Sequence, residues 1–164
     1  MSLFDRRRIC LAPFAIAVVG ACGFEPVYAP GGSGDVLLNR VLVTEPDEVN
    51  EYLLVQTLEQ RLGRATAPSY ALAFDLEVEN EGQGITQTGE ITRFSILGRV
   101  DYELREIGVE EPFLTGNVQS FTGYSATGST VETLAAERDA LQRLMVILAD
   151  RITAELVTTA DLPE

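Results

Sequence analysis

Between Tyr70 and Glu79 the apolar positions recur every second residue: Tyr70, Leu72, Phe74, Leu76 and Val78 alternate with Ala71, Ala73, Asp75, Glu77 and Glu79. Successive side chains of a strand point to opposite faces, so this pattern predicts a strand with one buried and one wet side. A polar, glycine-bearing stretch, "NEGQGITQTG", links it to a second alternation. There Phe94, Ile96, Val100, Tyr102 and Leu104 face one way, and Arg93, Ser95, Arg99, Asp101, Glu103 and Arg105 face the other. Phe113 to Tyr124 alternates less cleanly, with Gly116 and Gly123 loosening the pattern, and predicts a third member of an antiparallel meander.

Elsewhere the period is helical. In "EPDEVNEYLLVQTLEQRLGR", Val49, Tyr52, Leu53, Leu58 and Leu62 fall at helical spacing, with Pro46, Asp47 and Glu48 leading, Arg61 and Arg64 trailing and Gly63 near the stop. That charge order suits the helix dipole and predicts about four turns. Ser129-Thr130-Val131-Glu132 fits a capping box. Behind it Leu134, Leu141, Leu144, Met145, Leu148, Ile152 and Leu156 recur at threes and fours through Val157, a stripe of about 40 Å. Val36 to Thr44, "VLLNRVLVT", is short and β-branched and predicts a strand. The order is β-α-β-β-β-α. An α+β two-layer sandwich satisfies it, with two helices packed on one face of a four-stranded, mostly antiparallel sheet.

The N-terminal pattern is of another kind. Arg6, Arg7 and Arg8 precede an apolar run from Ile9 to Val19, and small residues follow, the order of a secretory signal. At 11 residues the run is shorter than the roughly 20 a membrane-crossing helix needs. Val19-Gly20-Ala21-Cys22 resembles a bacterial lipobox, which makes Cys22 the first residue of the mature chain and the site of lipidation. Cys10 leaves with residues 1–21, so no free thiol remains. "EPVYAPGGSG", Glu25 to Gly34, reads as a semi-extended tether. The predicted organisation is a signal at 1–21, a lipidated N-terminus and tether at 22–34, and one periplasmic domain at 35–164.

Composition narrows the function. Without residues 1–21 the chain carries nine arginines against 24 acids, a formal charge of −15, with no lysine and no histidine. That sign argues against nucleic-acid binding and against adhesion to anionic lipid. A hydrophobic content of 46% suits a folded domain. Lacking histidine and a mature thiol, the chain has no usual nucleophile-base pair and no histidine-cysteine metal site. Carboxylate chemistry remains, but Glu77 and Glu79 read as a solvated strand face. Gly82-Gln83-Gly84 is followed by neither a lysine nor a helix start, so it reads as a flexible loop rather than a phosphate cradle.

Arg93, Arg99 and Arg105 share one side of one predicted strand in an otherwise acidic chain. Guanidinium forks match phosphate, and equally match carboxylates on a neighbouring strand. Flanked by Glu103 and Glu106, Arg105 favours cross-strand pairing with Asp75, Glu77 or Glu79. For Arg93, near the strand's start, ligand contact and structural pairing both stand. Core packing is the default for Tyr52, Phe94 and Tyr124, whereas Phe113 and Phe121 offer an apolar face to a partner.

Taken together, "ACGFEPVY", "ITRFSILGRVDYELRE", Gly123-Tyr124 and "LAAERDALQRLMVILADRITAEL" resemble the lipopolysaccharide-assembly lipoprotein family LptE (RlpB), over nearly the whole mature chain. The resemblance implies an outer-membrane lipoprotein on the periplasmic side, held by the acylated Cys22. Its domain would plug the large β-barrel LptD, assist its assembly and take part in lipopolysaccharide transport to the outer leaflet. It implies no enzymatic activity and no cofactor or metal. Arg93 and Arg99 are the candidate contacts with lipopolysaccharide phosphate or the barrel wall. Two other classes compete: a lipid-binding auxiliary lipoprotein of an envelope ABC-type transporter, which needs an apolar pocket between sheet and helices, and a carboxylate-based cell-wall hydrolase.

Overall fold

The computed structural model describes residues 32–85 and 89–159. Cys22, the signal segment and the tether up to residue 31 lie outside the described residues, as do 86–88 and 160–164. The elements run α1 (Ser33–Leu37), β1 (Val41–Val43), α2 (Val49–Leu62), β2 (Tyr70–Ile85), β3 (Ile91–Glu106), β4 (Leu114–Ser125) and α3 (Thr130–Thr159). One sheet of order β1-β2-β3-β4 has β1 parallel to β2 and the other pairs antiparallel. The predicted α+β architecture and its mostly antiparallel sheet are therefore present.

The long helix begins where its capping box sets it. Ser129 Oγ accepts from the Glu132 N–H at 3.4 Å, and the Glu132 carboxylate accepts from the Ser129 N–H at 2.7 Å. These bonds hold the Glu132 carboxyl below its usual range. In α2 the Glu51 carboxylate plays the same part, accepting from the N–H groups of Asp47 at 2.7 Å and Glu48 at 3.3 Å. Both helices bury an apolar stripe against the sheet. Leu54, Leu58, Leu144, Met145, Leu148, Ile152 and Leu156 are fully buried against Leu72, Ile96, Val100 and Leu104.

Four expectations need correction. The segment from Val36 is not one strand: α1 closes at Leu37, Asn39 adopts a φ of 60°, and only Val41–Val43 pairs with β2. Val49 and Tyr52 face solvent, and the buried stripe of α2 runs through Leu54, Leu58 and Leu62, the rows that meet α3 and the sheet. Leu134 is 45% exposed, because the buried stripe of α3 starts at Ala140. The glycine-bearing link is mostly strand, since β2 continues to Ile85 with register shifts between Gly82 and Gly84 and between Gly84 and Ile85. Bulges of this kind bend the hairpin arm, and glycine allows close approach: a Cβ on Gly82 would lie 2.9 Å from Ile91 Cδ1.

Two further glycines set distances on the buried face. A Cβ at Gly98 would stand 2.9 Å from Leu148 Cδ1 and 3.1 Å from Leu144 Cδ2, so α3 rides close to the sheet there. Gly116 lies directly across from Tyr102, and the tyrosine ring occupies the space a side chain would take. The ring ends in a 2.5 Å hydrogen bond from the Tyr102 hydroxyl to the Glu155 carboxylate of α3. Burial, aided by that carboxylate, pushes the phenol well above its usual value.

The sheet's two outer strands are treated differently. On β4, Arg151 donates to the Gln119 carbonyl at 2.6 Å and Arg143 to the Gly123 carbonyl at 3.4 Å. Phe113 donates its N–H to the Leu104 carbonyl of β3 and Ala126 to that of Thr92, so β3 offers its even-numbered carbonyls to β4. By the alternation of an antiparallel ladder, the odd-numbered carbonyls of β4 point outward. The two arginines of α3 take outward carbonyls of this strand.

Candidate contact site on the open sheet face

Among the described residues no element covers the face away from the helices. Along β3 it presents Arg93, Ser95, Leu97, Arg99, Asp101 and Glu103; along β2, Asp75, Glu77, Glu79 and Glu81; along β4, Asn117, Gln119, Phe121 and Ser125. Register assigns each arginine its neighbours. Arg93 lies between Gly84 and Ser125, Arg99 between Glu77 and Gln119, and Arg105 beside Ala71.

Among the described residues the ion pairs are elsewhere: Arg61 with Asp150 at 2.7 Å, Arg64 with Glu59 at 2.8 Å, and Arg143 with Asp139. Arg93, Arg99 and Arg105 are in none of them. The pairing expected of Arg105 does not form, because the register fixed by the buried residues sets Ala71 opposite it. Arg93 has no carboxylate across either adjacent strand, so its guanidinium remains available.

Apolar groups sit beside these cations. Leu97 and Phe121 are direct cross-strand neighbours, and Phe121 is 71% exposed. An open concavity of about 640 Å³ at this end is lined by Gln83, Arg93, Ser95, Phe121, Ser125 and Thr127. The stacked rings of Phe94 and Tyr124, 5.2 Å apart, lie behind it on the buried side. Toward the other end a second concavity of about 660 Å³ is rimmed by Asp75, Asp101, Glu103 and Asn117. The open face thus sets Arg93 and Phe121 on β3 and β4 near the β2–β3 tip, while an acidic row runs along β2 from Asp75 to Glu81.

The two phenylalanines offered to a partner separate. Phe121 is exposed as expected, whereas Phe113 packs edge-on against Tyr70 at 5.8 Å and joins the core. Phe113 immediately precedes β4 and does not keep the strand's alternation. Sequence reading passed over Leu97, which follows Ile96 in an apolar pair; only the register shows that it faces outward toward Phe121. It also passed over Asn80, whose side-chain amide donates to the Tyr124 hydroxyl at 3.0 Å and to Glu137 at 3.3 Å.

The carboxylates of this face are exposed along strand positions, and among the described residues no group of three or more His, Cys, Asp or Glu is placed to hold a metal. Unpaired guanidiniums beside an exposed aromatic ring suit a ligand with phosphate and apolar parts, or a protein wall of that character. Among the described residues no helix is long and apolar enough to cross a membrane.

By fold the chain falls in a class shared with bacterial lipoproteins of known structure. A lipoprotein from Caulobacter crescentus CB15 aligns at 19% identity and a TM-score of 0.64, covering 76% of this chain and 93% of that one. The rare lipoprotein B from Shewanella oneidensis aligns at 11% identity and a TM-score of 0.57, covering 73% and 93%. A minor lipoprotein from Acinetobacter baumannii aligns at 13% identity and a TM-score of 0.52, covering 72% and 88%. Identities this low establish the fold alone. No curated protein matches the chain. The profile of the LptE family, described as lipopolysaccharide-assembly, matches residues 38–156. The chain belongs to the LptE family, and its role lies in lipopolysaccharide assembly.

Proposed function

We propose that this protein is a non-enzymatic, lipid-anchored subunit on the periplasmic side of the outer membrane. It plugs the LptD β-barrel, assists that barrel's assembly and takes part in lipopolysaccharide transport to the outer leaflet. Cys22 carries the diacylglycerol anchor, whose two chains hold the domain at the membrane. The single observation that supports the reading most, beside family membership, is the pair of unpaired arginines, Arg93 and Arg99, next to Phe121 on an uncovered sheet face. These side chains contact lipopolysaccharide phosphate or the barrel wall. An acidic plug complements a basic lumen. An auxiliary lipoprotein of an envelope transporter with a lipid pocket between sheet and helices fits less well, since fully buried leucines, isoleucine and methionine fill that interface.

The test is a mild-detergent pull-down of the tagged, lipidated protein from its own envelope, with mass spectrometry and a lipopolysaccharide assay of the eluate. Recovery of one large barrel at near one-to-one stoichiometry supports the plug, and loss of lipopolysaccharide on Arg93→Asp adds the ligand contact. Recovery of inner-membrane transporter subunits in place of a barrel would sink the proposal.

A further inference from the structure

On the other side of the sheet β1 covers only the first part of β2. β1 pairs with β2 only from Tyr70 to Leu72, and the last bond on that side runs from the Thr44 N–H to the Leu72 carbonyl at 2.9 Å. Strand alternation turns the N–H and C=O groups of Phe74, Leu76 and Val78 toward the same side as those of Leu72. Among the described residues no backbone group hydrogen-bonds to them. β2 is therefore paired on both sides for three residues and on one side for most of its 16.

The side chains along this edge are of two kinds. On the helix side Phe74, Leu76 and Val78 are only half-buried, and Leu76 and Val78 line a groove of about 260 Å³ between the starts of α2 and α3. On the open side Asp75, Glu77, Glu79 and Glu81 are all exposed. The acidic row is enlarged by Asp101, which lies directly opposite Asp75, a like-charge cross-strand pair that costs stability unless cations are near.

From the free backbone groups, the half-buried apolar row and the acidic row together, we infer that β2 accepts an added strand from a partner along Phe74 to Val78. The occupant is an extended protein segment that alternates apolar and basic residues. Its backbone pairs with Phe74, Leu76 and Val78, its apolar side chains cover the groove, and its arginines or lysines stand over Asp75, Glu77, Glu79 and Glu81. A second copy of this chain does not fit, because its own β2 would set the same four acids against these. The inference goes beyond the barrel reading: it specifies the chemistry of a docking segment and holds whichever envelope protein supplies it.

The full chain is titrated with a blocked peptide alternating arginine and valine, and with its glutamate-valine counterpart, while amide hydrogen exchange is followed. The arginine peptide is expected to bind at least ten-fold more tightly. It should slow exchange at Phe74, Leu76 and Val78 at least ten-fold, with less change at the odd-numbered amides already bonded to β3. Leu76→Pro removes one outward N–H at an edge position that tolerates proline and should abolish the protection. The exposed pair Glu77→Arg with Glu79→Arg should reverse the peptide preference, and it carries the test if the proline variant does not fold. Failure of the arginine peptide to bind overturns the inference. So does binding without protection at these three amides, or an unchanged preference in the double-arginine variant.

Discussion

Replacing Gly116 by alanine should cost far more than a surface glycine in an edge strand would suggest. The new Cβ would stand 2.8 Å from Tyr102 Cε1 and closer still to Cζ and the hydroxyl oxygen. Carbon atoms at rest keep about 3.5–4.0 Å, so the ring must retreat by roughly 1 Å. That movement carries the hydroxyl out of its 2.5 Å bond with Glu155, since such bonds weaken beyond about 3.0 Å. Forcing extra volume into a packed site costs about 1–3 kcal/mol, and losing a hydrogen bond to a charged group costs about 1.5–3 kcal/mol. The two overlap, so the expected loss is about 3 kcal/mol. Urea denaturation of Gly116→Ala, Tyr102→Leu and the double variant forms a thermodynamic cycle. With the ring shortened to leucine, Gly116→Ala should become neutral or stabilising by about 0.4–1 kcal/mol, the usual gain from restricting the unfolded chain. A loss below 1 kcal/mol in the parent, or an equal loss in the Tyr102→Leu background, would refute the steric account.

Four other outcomes are expected. Gly98→Val should lower stability by about 1–3 kcal/mol by pressing Leu144 and Leu148 of α3 off the sheet, seen as a lower midpoint in the same denaturation assay. Ser129→Ala should cost about 1 kcal/mol through loss of the α3 cap. Because folding lowers the Glu132 pKa, its contribution is full above the ordinary glutamate value of about 4.3 and is lost as pH falls through the lowered value; Glu132→Gln should flatten that acid limb of the stability curve. For Tyr102 the sign is opposite: its raised phenol pKa leaves stability whole below about pH 10 and erodes it above, and Tyr102→Phe should remove that alkaline slope in a pH-dependent melting series.

Much of the architecture is legible in sequence because its strands bury one face and its long helix starts at a capping box. Leu76, Val78, Val100 and Leu104 alternate with charged residues, and that period admits little else. The failures have local causes. Leu37 looks like strand but ends a five-residue helix that docks on α3, a tertiary contact that no propensity reports. Gly82 and Gly84 signal a loop, yet bulges let the strand run on through them. At the candidate site the identity of the arginines was readable, but their neighbours were not. Register is a relation between strands, so Leu97 opposite Phe121 and Arg105 opposite Ala71 emerge only once the sheet is assembled. Family resemblance pointed to Arg93, and the structure adds that no carboxylate stands across from it.

The arginines that α3 lays over β4 carry a consequence for valence. A sheet with two free edges is a divalent unit, able to add neighbours on both sides and grow into a fibre. Arg143 and Arg151 occupy outward carbonyls of Gly123 and Gln119, which blunts growth at the β4 edge and, among the described residues, leaves the stretch of β2 beyond β1 as the more open one. A monovalent sheet can take one partner and then stop. That limit separates a defined complex from uncontrolled polymerisation.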